Sequence, residues 1–554
     1  MLYDRLYLGI ESTFVFFVSL VADSLHACYD LLLMIYRGVI CCCGYAMAIS
    51  ILTVDLKAGG RGLNAIVVVN QNSSNSCALG NYFCERRSVP AANVLRITWS
   101  GTNTLWTDQE FTATLLNPLL QMISTRGLSN QISHVVLSMD IPFQVLYEAT
   151  NHNGTTSALF YGLKQDLGTD SGTTNSYAGS EEFFAQSKPA SATGSSFLAT
   201  MITGKSLAEA MKIVDQGVAA DGANPIARTI LAKSSDPLRN IRSPLFDNSI
   251  FESRILGASS IQRTNSDNPT GLSGLLGYET GLARFNISLN AFVPGAIADS
   301  LTSFGGVIFG PNDQTNLLAF VEAGATGSYG TVAEPLADSQ KFPDPMVYFY
   351  QARGFGLAES YYQSIRLPYL GLIVAEPLAA PFAQPGYGSW NTTATNSVLA
   401  GNTPLTVKFT EHDSSRPLQQ VDLFLDGQYQ STLTNLTPTA NNSLNLSFNG
   451  YPISYSVPAN ATIGTIATDL TTLINDPAVS GITQIRATTH GDRIELQSTA
   501  TNQLSFPFYA PMPLTTASNG ITYRVTYLPQ SYQPRLIPVG GTGRGDFHIQ
   551  VEIP

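Results

Sequence analysis

The chain has 554 residues, of which 44% are hydrophobic and only 12% are charged, and its formal net charge is −11. A chain of this length predicts two or three domains rather than a single core. Binding to nucleic acid needs a concentrated basic face. With a pI near 5.0 and no block of lysines or arginines, the sequence excludes a nucleic-acid partner.

The N-terminal segment differs in composition from the rest of the chain. It is apolar, but charged residues interrupt it, whereas a membrane-spanning helix needs an uninterrupted run of about 20 residues. Read from Met34, it has a basic residue, Arg37, a short apolar run and a small-x-small sequence at 46–48, the pattern of a signal peptide. We therefore expect 1–49 to be a signal peptide or a misassigned N-terminal extension. A membrane anchor and a buried N-terminal helix are the alternatives.

Between residues 63 and 385, short apolar runs alternate with helical patterns. The runs predict strands at 65–70, 93–99, 134–139, 197–202, 272–278, 325–330 and 370–375. The helical patterns lie at 77–86, at 108–124 and from Leu207 onward. This alternation predicts an α/β domain with a largely parallel sheet and helices on both faces. The stretch 150–195, rich in Gly, Ser and Thr, predicts an irregular surface insertion.

The composition changes again after the α/β domain. Residues 386–400 are typical of a linker. In 401–554, apolar residues alternate with period two around a DG turn at 426–427, which predicts a β-sandwich domain. Within it, about 440–500 has the order strand, strand, helix, strand, strand. With its NG, LIND and GDRIEL sequences, this stretch resembles the small α+β module of flagellar hook-associated and related surface proteins, which implies a structural spacer.

Cysteines and histidines give no sign of a disulfide or a metal site. Four of the six cysteines lie in the N-terminal segment, which leaves Cys77 and Cys84 in the expected mature chain. On one helix these two lie about 10 Å apart along the axis, beyond the reach of a disulfide. The histidines are scattered and no CxxC pair exists, so we expect two free core cysteines, no metal and no cofactor.

The stretch ATMITGKS at 199–206 comes close to a phosphate-binding loop. The motif GxxxxGK[ST] requires glycine where this chain has Ala199, because that glycine allows the backbone to fold around the phosphate. The apolar lead-in also leaves too short a loop. We expect a strand followed by a helix that is capped near Thr203 and Ser206, and no ATPase.

The densest run of motifs lies between 274 and 382, with GLLGYETG, FVPGAIADS, EAGATGSYGTVAEP and LIVAEPLAAPF in that order. It resembles an uncharacterised family of exported bacterial proteins and, more distantly, the α/β domain of gingipain-type cysteine peptidases. The second resemblance implies a caspase-like three-layer fold with His-Gly at one strand end and Cys at the next. We expect those strand ends at 277–281 and at 289–295. Neither His nor Cys occurs between 153 and 411, which implies the scaffold without the catalytic dyad, a pseudoenzyme.

Polar residues that follow the predicted strands form a candidate pocket: Glu279, Asp299, Ser303, Ser328 and Glu334. Ligands bind at the carboxyl ends of strands in open α/β sheets, and paired carboxylates serve acid–base chemistry. The alternative is that Asp299 and Glu334 satisfy loop amides and helix starts.

Two functions of different classes follow from the sequence. The first is an exported periplasmic, cell-surface or extracellular protein whose non-catalytic, peptidase-like domain acts in binding or scaffolding. Its partner would be an unidentified protein or surface polymer, with no membrane span in the mature chain. The second is a hydrolase that uses carboxylates and serines of 279–334.

Overall fold

The computed structural model describes most of the predicted α/β domain and parts of the flanking regions. The described residues are 12–20, 62–165, 175–179, 184, 196–247, 249–250, 260–383, 387–390, 401–410, 420–425, 427–434, 440–441, 443–448, 451–461, 463–483, 485–490, 493–498, 515–516, 522–523, 525–527 and 536–538. The chain forms two compact units. One comprises 1–56 and 385–412, and the other comprises 57–384 and 413–554.

The strands are numbered in chain order. Those up to the end of the main sheet are β1 (Ser12–Leu20), β2 (Ala65–Asn70), β3 (Val94–Ile97), β4 (Leu105–Thr107), β5 (His134–Leu137), β6 (Gln144–Tyr147), β7 (Asn151–Gly154), β8 (Leu198–Met201), β9 (Arg228–Lys233), β10 (Ser260–Asn265), β11 (Leu275–Thr280), β12 (Phe292–Ser300), β13 (Gly327–Thr331) and β14 (Gly371–Ala375). The others are β15 (Tyr387–Trp390), β16 (Gly401–Thr410), β17 (Gln420–Leu425), β18 (Gln428–Thr434), β19 (Ser443–Phe448), β20 (Tyr451–Ser456), β21 (Ile485–His490), β22 (Arg493–Ser498), β23 (Thr515–Thr516), β24 (Thr522–Tyr523), β25 (Val525–Tyr527) and β26 (Leu536–Pro538).

The helices are numbered in the same way. They are α1 (Ser74–Arg87), α2 (Asp108–Phe111), α3 (Asn117–Thr125), α4 (Thr155–Tyr161), α5 (Leu207–Ala220), α6 (Leu318–Glu322), α7 (Val347–Ala352), α8 (Leu357–Ser364), α9 (Ile463–Asn475) and α10 (Pro477–Thr483). A π-helical turn, Thr112–Leu116, joins α2 to α3. Single 3-10 turns lie at Gly62–Asn64, Ala91–Asn93, Ser243–Leu245, Ser339–Lys341 and Pro368–Leu370. Among the described residues, no helix combines the length and the apolarity needed to cross a membrane.

The main sheet has ten strands in the order β10-β9-β11-β12-β13-β14-β8-β5-β2-β3. All neighbours are parallel except β13 and β14, so the sheet consists of two parallel halves that run in opposite directions. Read inward from its outer edge, each half of five strands has the same order along the chain: second strand, first, third, fourth, fifth. This is the doubly wound order of α/β sheets. The predicted mixed α/β class with a largely parallel sheet is confirmed.

Much of this sheet can be predicted from the sequence because its parallel strands are buried. All six residues of β2 are buried, as are all five of β14, so each reads as a continuous apolar run. The helix α5 begins at its N-cap Ser206, whose hydroxyl accepts from the amide of Glu209. The predicted cap and the predicted strand–helix order at 199–206 are therefore confirmed.

In the half of the sheet formed by β9 to β13, the sequence does not predict β9, β10 and β12. The strand β12 contains Pro294 and Gly295, both weak strand formers, and its buried end carries a charge at Asp299. The strand β10 is an edge strand without a fully buried residue. The sequence 289–295, expected to contain a strand end, instead leads into the start of β12, so that expectation is wrong.

The predicted surface insertion at 150–195 is wrong for its first part. Residues there form β7 and α4, and all seven residues of α4 are buried. The short apolar run of α4 is embedded in Gly- and Thr-rich sequence, which hides its helical character. Residues 166–174 and most of 180–195 lie outside the described residues.

In the first unit, β1 pairs with β16 over nine antiparallel residue pairs, and β15 pairs with the last four residues of β16. The described part of the predicted signal segment is thus a strand rather than a helix, and the predicted linker contains β15. Removal of the segment stays a prediction.

The described strands after residue 412 form small separate sheets. The hairpins β17–β18 and β19–β20 each form a two-stranded sheet, and β21 and β22 belong to a sheet of four. The order β19, β20, α9, β21, β22 reproduces the predicted strand–strand–helix–strand–strand pattern, with α10 as an additional helix. Their arrangement as a β-sandwich stays a prediction.

Candidate functional site

Two of the predicted pocket residues, Glu279 and Asp299, lie at the carboxyl ends of two neighbouring strands. In the parallel register, Glu279 of β11 is opposite Asp299 of β12, which in turn is opposite Tyr329 of β13. Residues opposite one another project from the same face of a sheet, so the three side chains share one face. Glu279 is only 1% exposed and Asp299 is 0% exposed. The structure therefore brings these two carboxylates together, and it places them inside the protein.

A buried arginine lies between the two carboxylates. The Nη2 atom of Arg242 is 2.6 Å from Oδ1 of Asp299, and its Nε atom is 3.3 Å from Oε1 of Glu279. The guanidinium also donates to the carbonyl of Thr280 at 3.1 Å and to that of Pro343 at 2.9 Å. Its side chain is only 3% exposed. Arg242 thus ties the ends of β11 and β12 to the loop before α7.

Aromatic side chains surround this ion cluster. The ring of Phe342 lies 5.8 Å from the guanidinium carbon of Arg242, within the range of a cation–π contact. Burial, and then the nearby carboxylates, raise the pKa values of Tyr329, Tyr348 and Tyr361 well above their usual range. All three hydroxyls therefore stay protonated at any physiological pH. The shell is apolar enough to keep bulk water away from the charges.

The cluster contains one positive and two potential negative charges. Burial raises the pKa of Glu279 well above its ordinary value, and Asp299 and Asp344 raise it further, while Arg242 opposes the shift. Burial also raises the pKa of Asp299, against the effect of Arg242, which bonds it directly. Because Asp299 makes the shorter contact, we assign the ion pair to Asp299 and Arg242 and the neutral, protonated form to Glu279.

The other three predicted pocket residues do not join the acidic pair. Ser328 is fully buried but lies opposite Ala298, so it projects from the face of the sheet opposite to that of Asp299. Ser303 is half-buried in the loop after β12, and its carbonyl accepts from Thr331. Glu334 is exposed and accepts from the amide of Leu336, as the loop-amide alternative expects.

Several polar atoms near the cluster have no hydrogen-bond partner among the described residues. They include Oε2 of Glu279, Oδ2 of Asp299 and the hydroxyls of Thr280 and Tyr361. Buried polar groups are normally satisfied, often by an internal water molecule. The cluster is therefore polar enough to hold water.

Sequence reasoning missed Arg242, although it carries the electrostatics of the site. It lies in the segment that follows β9, far along the chain from both acids. The available signal is indirect: a carboxylate that becomes buried requires a cation, because an unpaired buried charge is strongly unfavourable. Two arginines, Arg239 and Arg242, follow β9 in the sequence, and only the fold shows which one is buried with the carboxylates.

A second buried cluster has the same composition. Arg87 at the end of α1 forms a bidentate pair with Glu376, at 2.9 and 2.6 Å, and also contacts Asp221 at the end of α5. Burial raises the pKa of Glu376, and Arg87 opposes this. The side chains are at most 4% exposed. One arginine between two carboxylates therefore serves twice to join secondary-structure elements.

The strand ends carry no cysteine–histidine dyad. The carboxyl end of β11 reads Glu279-Thr280-Gly281, and that of β12 is Asp299-Ser300 rather than the predicted 289–295. Cys77 and Cys84 both lie on α1 as free, half-buried thiols. The expectation of free cysteines is confirmed, although neither is fully buried in the core. Within the described part of the chain, no group of three or more His, Cys, Asp or Glu side chains is arranged to hold a metal ion.

The loop at 199–206 has no free phosphate-binding lysine. The ammonium group of Lys205 forms an ion pair with Glu322, and the Lys205 amide donates to Glu209 at 2.8 Å. Only a few residues separate β8 from α5, which leaves too little backbone to surround a phosphate.

Comparisons with known proteins give two distant structural likenesses. No family model and no curated protein matches the sequence. A solved structure described as a protease covers 88% of this chain and 98% of its own, at 9% identity and a TM-score of 0.32. A complex of the pro- and mature domains of RgpB from Porphyromonas gingivalis covers 72% and 100%, at 9% identity and a TM-score of 0.35. Both scores are too low to establish a shared fold. The second structure is consistent with the distant gingipain-type resemblance, which stays an expectation.

Proposed function

We propose that the protein is an exported, non-catalytic binding or scaffolding protein with a caspase-like α/β domain. The observation that carries the proposal is the burial of Glu279 and Asp299 with Arg242. The carboxyl ends of β11 and β12 are where a doubly wound sheet would present reactive groups. In this chain an internal arginine and aromatic side chains fill that position.

A catalytic carboxylate must reach the proton of a bound substrate, within about 3 Å or through one water molecule. Neither Glu279 nor Asp299 is exposed enough for such contact. Neither group is available as a free carboxylate: Asp299 neutralises Arg242, and the raised pKa of Glu279 favours the neutral acid. The cluster therefore supports a structural role, in which Arg242 connects the carboxyl ends of β11 and β12 with the loop that contains Pro343.

The alternative is a hydrolase that uses carboxylates and serines of 279–334. The unpartnered hydroxyl of Ser328 favours it, because a nucleophile must be free to react. Ser328, however, projects from the opposite face of the sheet to Asp299, and no histidine lies among the residues 153–411 to activate it. The geometry supports the binding protein better.

An activity screen tests the proposal. Purified full-length protein is incubated with a mixed peptide library and with ester and glycoside substrates, with and without iodoacetamide. We expect no turnover above the blank. Turnover that Asp299→Asn abolishes and the exposed control Asp313→Asn retains would establish the hydrolase and overturn the proposal. Turnover that alkylation abolishes would place a thiol mechanism in the chain.

Export has its own test. Protein recovered from its native source should begin close to residue 49, because the sequence at 46–48 has the small-x-small pattern of a cleavage site. Mass spectrometry of the N-terminal peptide decides this. Recovery of peptides from 1–45 in the purified native protein would contradict export by a cleaved signal.

A further inference from the structure

The β17–β18 hairpin reaches the α/β domain through its turn. Leu425 pairs with Gln428, and Gly427 lies in the turn between the two strands, where the sequence predicts a hairpin turn. Gly427 has a φ of 78°, a conformation that favours glycine. A β-carbon on Gly427 would lie only 3.1 Å from Cγ of Pro90. The turn therefore lies directly against the segment that follows α1.

One buried side chain in the α/β domain binds the backbone of this turn. Gln131, which is 3% exposed, accepts from the amide of Tyr429 at 2.9 Å through Oε1. Its Nε2 atom donates to the carbonyl of Gly427 at 2.8 Å and to that of Leu63 at 2.7 Å. The side-chain amide of Gln131 thus binds the carbonyl of Gly427 and the backbone amide of Tyr429, two residues further along. A neighbouring parallel strand would bind the same two groups with its backbone.

The backbone of Gln131 is held by hydrogen bonds within the α/β domain. The Gln131 carbonyl accepts from the side chain of Asn64 at 2.9 Å, and the Gln131 amide donates to the carbonyl of Leu128 at 2.9 Å. These contacts lie within the α/β domain and fix the backbone of Gln131 on both sides. A preorganised group loses little conformational entropy on binding, which favours a specific contact.

We propose that Gln131, Leu63 and Pro90 form a β-turn-binding site, and that the chain's own hairpin fills it. The ligand class is a tight turn with glycine in the left-handed conformation and a free backbone acceptor and donor on its outer edge. A two-stranded hairpin is marginally stable by itself in water. Docking on Gln131 therefore makes β17–β18 part of the α/β folding unit rather than a tethered appendage. The proposal is independent of whether the protein is an enzyme.

Hydrogen–deuterium exchange of the full-length protein, read by mass spectrometry, tests this. In Gln131→Ala, peptides that cover 427–434 should exchange at least tenfold faster than in the wild type, while β2 keeps its protection and shows that the domain is folded. The matched control is Gln428→Ala, which changes an exposed glutamine that directly follows the turn at the start of β18. Unchanged exchange at 427–434 in folded Gln131→Ala, or an equal rise in Gln428→Ala, would overturn the proposal.

A variant on the hairpin side covers the case in which Gln131→Ala does not fold. Gly427→Asn keeps a residue that tolerates the left-handed conformation but adds a side chain against Pro90. We expect the same rise in exchange at 427–434, with β2 protected. Wild-type exchange at 427–434 in Gly427→Asn would show that the turn does not lie against Pro90 in solution, and the proposal would fail.

Discussion

Replacing Arg242 by methionine tests the assignment of charge in the buried cluster. Methionine fills similar space without a charge, so Asp299 and Glu279 lose their cation and two carbonyls lose a donor. At pH 7 the fold can relieve the unpaired charge only if Asp299 takes up a proton. Its ordinary pKa is about three units lower, and each unit corresponds to about 1.4 kcal/mol, so protonation costs about 4 kcal/mol. This agrees with the roughly 3–5 kcal/mol found when buried ion pairs are broken.

Urea unfolding, followed by tryptophan fluorescence, measures the loss. Trp106 is 1% exposed and lies in the same domain, so its emission changes when the domain unfolds. We expect Arg242→Met to lower the free energy of unfolding by about 3–5 kcal/mol at pH 7. Near pH 4 the loss should shrink to about 1–2 kcal/mol, because there Asp299 takes up a proton at little cost and the lost carbonyl bonds remain. The variant Arg242→Met/Asp299→Asn should recover most of the loss at pH 7, because it removes the unpaired charge.

The control is Arg284→Met, whose ion pair with Asp313 is 3.6 Å long and largely exposed. An exposed pair of this kind contributes at most about 1 kcal/mol. If Arg242→Met costs no more than Arg284→Met, or if its loss is the same at pH 4 and pH 7, the buried charge assignment is wrong.

Three further outcomes follow from the geometry. Burial raises the pKa of Glu279, so the folded state holds this proton more tightly than the unfolded state does, and the wild type loses stability as the pH rises above the ordinary pKa of glutamate. Glu279→Gln should remove this loss. Parallel curves of Tm against pH for the wild type and Glu279→Gln would contradict the expectation. Burial raises the pKa of the Cys84 thiol to about 11, so alkylation by iodoacetamide at pH 8 should be much slower than that of glutathione, as mass spectrometry can follow. Millimolar ATP should leave the Tm unchanged, since Lys205 is paired with Glu322; a Tm increase that Lys205→Ala abolishes would refute this.

The sequence predicts those parts of the sheet that local pattern determines. The strand β2 reads as a strand because every residue is buried, and the turn at 426–427 is legible because glycine there adopts a left-handed conformation. The strand β12 is hidden because Pro294 interrupts its apolar run. The sequence singles out both acids as candidates, although it hides the strand β12 that carries Asp299. Their partner Arg242 and the face occupied by Ser328 depend on tertiary contacts and on register, which no local pattern contains.

The central position of β14 determines when the sheet can be completed during synthesis of the chain. This strand joins the two halves of the sheet, since Val374 pairs with Ser328 of β13 on one side and with Met201 of β8 on the other. It is also the last of the ten strands to leave the ribosome. Until then β8 and β13, whose residues are all buried in the finished sheet, have open edges whose backbone groups can pair with other chains. We therefore expect a chain that stops before residue 371 to leave both half-sheets with an unpaired edge, and synthesis of β14 to close both.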